Sequence, residues 1–172
     1  MASLRRTALH LSLSAFVLAS ASLSFAQLRL DWTLETPAHE DHRFRGIDTD
    51  KSGRLLYIAD NASDRVYVYK SKHPAVPISS FGADVWGGGR LNYFGPNGLG
   101  VADDGAVYVA VWNDDDLDQD GEADHGLWRF RPSDKRLDRV CTLPEAPRGV
   151  HVLGRGRRTE VYVAGNAGTV MR

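Results

Sequence analysis

Three times in this chain a Gly followed by an apolar residue precedes an apolar-Tyr-apolar-Ala run. Arg45-Gly46-Ile47-Asp48 leads to Leu56-Tyr57-Ile58-Ala59, and Asn97-Gly98-Leu99-Gly100 leads to Val107-Tyr108-Val109-Ala110. Arg148-Gly149-Val150-His151 leads to Val161-Tyr162-Val163-Ala164. The three tyrosines fall 51 and then 54 residues apart. A unit this short, built from strands, cannot bury both faces of its own sheet and must stack on neighbours.

Self-similarity at about 40–50 residues with short strands is the pattern of a β-propeller blade. The expected fold is therefore all-β, with blades of four antiparallel strands. The first copy predicts strands at 44–48, 55–59, 65–69 and 77–81. The second predicts 98–102, 106–112, 126–131 and 137–143. The third predicts 149–153, 160–164 and 168–172, where the chain stops one strand short of a blade. Lys51-Ser52-Gly53 and Asp103-Asp104-Gly105 supply the positive φ of tight hairpins.

The first 26 residues have the pattern of a secretory signal. Arg5 and Arg6 open it, an apolar Ser/Ala-rich stretch follows, and Ser24-Phe25-Ala26 carries small residues where a signal peptidase reads. A secreted or periplasmic protein follows, with no membrane span in the mature chain. Removing 26 of 172 residues leaves 146, one domain in length. The leader holds two Arg and no acid, so the net charge of −1 becomes −3 in the remainder. With that balance and no basic stripe, nucleic acid is not expected as a partner. Residues 27–43 read as an entry segment, and 44–95, 96–145 and 146–172 as two blades and a truncated third. A ring of about four to eight blades needs more than these. A fragment, a ring assembled from several chains and an open stack are the three readings of that shortfall.

Cys141 is alone, so no internal disulfide is available. Its run, Arg139-Val140-Cys141-Thr142-Leu143, predicts a buried small side chain on a strand. Trp32, Trp86, Trp112 and Trp128 are expected to pack between blades.

The strongest chemical motif is Asp116-Leu117-Asp118-Gln119-Asp120-Gly121-Glu122-Ala123-Asp124. Asp at positions 1, 3, 5 and 9 with Gly at 6 matches the front half of an EF-hand loop. Ca²⁺ takes six to eight hard oxygens, which alternating carboxylates on a coiled loop supply. The expected metal residues are Asp116, Asp118, Asp120, Asp124 and Glu122, the last through its carbonyl. Position 12 is Leu127 where an EF-hand has a bidentate Glu, so this is not an EF-hand. The alternative is a solvated acidic loop. The motif falls between the second and third strands of the second blade. That connection opens on the same end as Pro96-Asn97, and this end is the expected ligand face. His39-Glu40-Asp41-His42 lacks the spacing of a helical zinc pair and reads as a solvated linker. His151 reads as buried or channel-lining. Asn61-Ala62-Ser63 fits a turn as well as a glycosylation acceptor. No Ser-His-Asp, Cys-His or paired-acid constellation stands out.

The blade residues resemble the NHL-repeat propellers. Gly46-Ile47, Gly53, Tyr57-Ile58-Ala59-Asp60-Asn61 and Asp64-Arg65-Val66-Tyr67-Val68 are similar to that family's blade, and 81–96 is like its Gly-rich link between blades. The second copy puts Val111 where the family has Asp. Pro96-Asn97-Gly98-Leu99, Tyr108-Val109-Ala110 and Phe130-Arg131-Pro132 also resemble the six-bladed gluconolactonase-type propellers. That resemblance implies a divalent metal at the central channel with Asn97 as one ligand. Arg45 and Arg148 hold the same position in the other copies and cannot ligate. Two function classes follow. One is an exported binding or scaffold propeller with a calcium loop, directed at an unidentified protein or small-molecule ligand. The other is part of a metal-dependent hydrolase or lactonase, with a quinone-dependent sugar dehydrogenase as a more distant relative.

Overall fold

The computed structural model describes residues 42–72, 76–86, 95–113 and 125–172. The leader, Trp32, His39–Asp41 and the acidic 116–124 motif lie outside the described residues. Among the described residues no helix is long and apolar enough to cross a membrane.

The described chain is nearly all β. The first sheet holds β1 (Phe44–Thr49), β2 (Leu55–Asp60), β3 (Arg65–Lys70) and β4 (Ser79–Phe81) in that order. The second holds β5 (Gly95–Val101), β6 (Val107–Trp112), β7 (Gly126–Arg131) and β8 (Arg136–Thr142). The third holds β9 (Pro147–Leu153), β10 (Glu160–Gly165) and β11 (Val170–Met171). Every pairing is antiparallel between chain neighbours. The first strands of the sheets, β1, β5 and β9, lie side by side. Up-and-down sheets stacked face to face around adjoining first strands are successive blades of a propeller.

Alternation along each strand creates two apolar faces per sheet. Tyr57, Ala59, Val66 and Val68 of the first sheet meet Leu99, Val107, Val109 and Val111 of the second, with Trp86 completing the cluster. The opposite face of the second sheet, with Tyr108, Ala110 and Leu127, meets Val163, Val150, Val152 and Val161 of the third. Tyr57 and Tyr108 therefore each point at the following sheet. At the rim, Phe81 stacks on Phe130 with centroids 3.8 Å apart, and Trp86 meets Trp128 edge-on at 6.4 Å.

Glycines set how closely the first strands approach. A Cβ built on Gly46 would lie 2.8 Å from the Leu99 backbone nitrogen, and one on Gly98 would lie 2.8 Å from Gly149 Cα. The obstacles are backbone, so no side-chain rotation relieves them. The repeat glycine is thus a spacer that lets neighbouring sheets meet main chain to main chain.

The turns joining the first and second strands of the three sheets clasp one another in series. Val101 N–H donates to Asp48 across the first interface at 2.8 Å, and Lys51 pairs with Asp103 at 3.1 Å. Gly156 N–H, opening a 3-10 turn at Gly156–Arg158, donates to Asp104 at 2.8 Å across the second.

Three expectations need correcting. Cys141 is exposed. It shares a face with its ladder partner Leu127, toward the third sheet. β8 is the outermost strand of its sheet, and Arg139–Thr142 are all exposed on it. His151 is exposed on β9, so the buried half of its reading fails. His42 is not solvated; its side chain is 12% accessible and is tied to a buried carboxylate.

Candidate functional site

One end of the blades gathers the polar residues that the core excludes elsewhere. Asp60, Asn61, Ser63, Asp64, Asn97 and His125 are all buried, and all sit where β2 ends, β5 begins or β7 begins. The 113–125 connection leaves and re-enters at this same end, since Gly95 pairs with Trp112 and Val111 with Gly126.

The position before the repeat glycine has a common geometry in all three sheets. Between Phe44 and Gly46, between Pro96 and Gly98, and between Pro147 and Gly149, the ladder skips one residue. Arg45, Asn97 and Arg148 are therefore the extra residues of three β-bulges, a device that bends a strand and re-aims one side chain. Gly after each of them was the sequence signal for this irregularity.

The three side chains are used differently. Asn97 is 3% exposed, and its Nδ2 donates to the Pro147 carbonyl of the next sheet at 2.6 Å. Arg148 reaches Asn166 Oδ1 through both Nε (2.9 Å) and Nη2 (2.7 Å), and its guanidinium lies 5.2 Å from the Trp112 ring centroid. Arg45 is exposed, with no hydrogen-bond or ion-pair partner among the described residues. Asn97→Ala is expected to cost about 1–3 kcal/mol, because the Pro147 carbonyl would be left buried and unpaired. Urea denaturation with an unchanged slope checks it. Asn97→Asp should cost more, since an anionic oxygen would face that carbonyl.

Asp60 is the most buried charge in this layer, with no exposed surface. It ends β2 and accepts from His42 Nδ1 (2.6 Å), Arg43 N–H (2.8 Å), Ser63 Oγ (2.8 Å) and Ala62 N–H (3.2 Å). Burial works to raise the Asp60 pKa, but the bonds from His42, Arg43, Ser63 and Ala62 outweigh it and hold the carboxyl below its ordinary value. The pair fastens the segment entering β1 to the end of β2. Its turn, Asn61 to Asp64, closes with Asp64 in the left-handed region at φ 52°.

The root of the acidic connection is ordered by a second histidine. Asn113 N–H donates to His125 Nδ1 at 3.1 Å, and the His125 carbonyl accepts from Leu143 N–H at 2.8 Å. The loop's two ends are thereby pinned together beside Trp112. Neither histidine contact was read from the sequence. Asp60 closes an otherwise apolar strand, which marks a carboxylate that must find donors, but its partner stands 18 residues upstream in a segment without periodicity. Among the described residues no three His, Cys, Asp or Glu side chains gather as a metal centre.

No family model matches the chain, and a search of curated proteins gives no match. Among solved structures, the chain is similar to the crystal structure of the Myceliophteria thermophila Cps50 (Swd1) beta-propeller domain, at 11% identity and a TM-score of 0.34. The alignment covers 74% of this chain and 49% of that one, so the chain spans about half the length of the protein it matches.

Proposed function

We propose that this chain is an exported β-propeller binding or scaffold protein, related to the NHL-repeat group, whose 116–124 loop holds calcium at the bulged end of its blades. The observation that carries the reading is the concentration of polar chemistry at that end. Three bulged side chains, a buried carboxylate and the pinned root of the acidic connection all occur there. Asp116, Asp118, Asp120 and Asp124 with the Glu122 carbonyl form a hard-oxygen set suited to Ca²⁺ and poorly suited to softer metals. The ion would relieve the mutual repulsion of these carboxylates and stiffen the loop for an unidentified protein or small-molecule ligand. The gluconolactonase-like reading asks Asn97 to be a channel ligand. The Asn97 bond to Pro147 is made by Nδ2 and leaves Oδ1, the oxygen that reading needs, uncommitted, so the acidic loop and not Asn97 separates the two readings.

Calorimetric titration of the metal-free protein tests this. A saturable Ca²⁺ heat is expected, with Kd in the range of about 10⁻⁷ to 10⁻³ M spanned by sensor and extracellular sites. Ca²⁺ at about 100 times Kd should raise stability by about 2.7 kcal/mol. Combined Asp118→Ala and Asp120→Ala should weaken binding at least about tenfold. No heat, or the same affinity in the double variant, would overturn the assignment.

A further inference from the structure

The middle of the first sheet is buried on both faces, although only one of them meets another sheet. Tyr57, Ala59, Val66 and Val68 pack on the second sheet. On the opposite face Leu56, Ile58, Tyr67 and Tyr69 are between 0% and 5% exposed. Among the described residues, no other strand contributes to that cluster. The burial is also narrow. Ladder register continues the row onto Ile47 of β1 and Ser80 of β4, since Ile47 pairs with Ile58 and Ser80 with Tyr67. Ile47 is 64% exposed, and Ser80 is exposed too. Leu99 holds the place of Ile47 in the second sheet, and there the first sheet covers it to 4%. A packed sheet thus covers the first strand as well as the second and third. The cover over Leu56, Ile58, Tyr67 and Tyr69 is only two strands wide, at about 4.8 Å per strand, which is the width of one extended segment with its side chains.

We propose that residues 31–41 of this same chain are that segment, lying along β2 and β3. The chain enters at the right place. His42 is bonded to Asp60 at the end of β2, and its ring meets Tyr67 edge-on with centroids 6.3 Å apart. The residues just before His42 therefore start at one end of the covered row. Their length suffices. The eight residue steps from Leu34 to His42 reach up to about 28 Å, beyond the about 20 Å of a six-residue strand. Their pattern fits a one-sided contact. Leu28, Leu30, Trp32 and Leu34 alternate with Arg29, Asp31, Thr33 and Glu35, the period of a strand with one apolar face. Asp31–Arg172 form one compact unit, so the segment belongs to the same body as the sheets. Trp32 and Leu34 then supply the apolar side chains that close the row, with Asp31, Thr33 and Glu35 turned to water.

Through-space proton NMR on the purified chain tests the proposal. Cross-peaks are expected from the Trp32 indole and Leu34 methyl protons to the Leu56 and Ile58 methyls and the Tyr69 ring. Trp32→Asp with Leu34→Asp should uncover the row and raise the fluorescence of a bound apolar dye at least about threefold. Ile47→Asp is the control, because that side chain is already 64% exposed, and it should leave dye binding at the parent level. Cross-peaks to the row from another segment in place of residues 31–41, or none at all, would overturn the proposal. A folded double variant that binds no more dye than the parent would do the same. Where the double variant does not fold, the parent cross-peaks decide alone.

Discussion

Asp60→Ala is expected to destabilise the protein by about 3 kcal/mol or more, the loss expected when a buried carboxylate that satisfies several donors is removed. His42, the Arg43 and Ala62 amides and the Ser63 hydroxyl all donate to this carboxylate, and truncation strands them in a site with no exposed surface. The midpoint of thermal unfolding should fall by about 10 °C or more. Acid dependence provides an independent check. Because the folded carboxyl sits below its ordinary value, the unfolded chain takes up the proton first, at about pH 3.9. The Asp60 contribution is therefore whole above that pH and drains as pH falls toward the folded value. In Asp60→Ala this share of the acid sensitivity should disappear. A variant as stable as the parent, with an unchanged acid profile, would remove Asp60 from the account.

Gly98→Val should cost more than about 3 kcal/mol, beyond the range usual for overpacking, because the clash is with main chain. The new Cβ would meet Gly149 Cα at 2.8 Å and Val150 N at 3.0 Å. Only separation of the second and third sheets makes room, and that opens the Tyr108–Val163 cluster. Gly149→Ala is the matched control. It has the same place in the repeat and an open space, so it should change stability by no more than about 0.5 kcal/mol. Equilibrium unfolding of the pair separates a spacing role from a merely conformational one, since neither residue has a positive φ.

Much of this architecture was legible from period and turn chemistry. Alternating Val, Tyr and Ala placed β2, β6 and β10 within a residue of their observed bounds, because one face of each strand must be apolar. Gly53 and Gly105, at φ 65° and 85°, mark hairpins that Ser-Gly and Asp-Gly announce. The bulges were not read, although the residue before each repeat glycine was singled out. A ladder that skips a residue leaves the apolar pattern on the following positions intact. Cys141 was misjudged because an apolar run does not reveal that its strand is the outermost of a sheet, where side chains stay exposed. His42 was misjudged for the converse reason. A polar segment looks solvated until a buried carboxylate elsewhere in the chain requires it. The polar end of the blades was only half visible, since its bonds join residues that are 18, 12 and 50 positions apart.

The central claim is that three repeat sheets stack as blades, with their first strands in backbone contact at the repeat glycines. Through-space proton NMR tests it most directly. The account predicts strong cross-peaks from the Gly98 α-protons to those of both Gly46 and Gly149, because a built Cβ on Gly46 lies 3.1 Å from Gly98 Cα and one on Gly98 lies 2.8 Å from Gly149 Cα. With all three glycines assigned and their strands protected from exchange, the absence of both cross-peaks would contradict the stacked-blade arrangement.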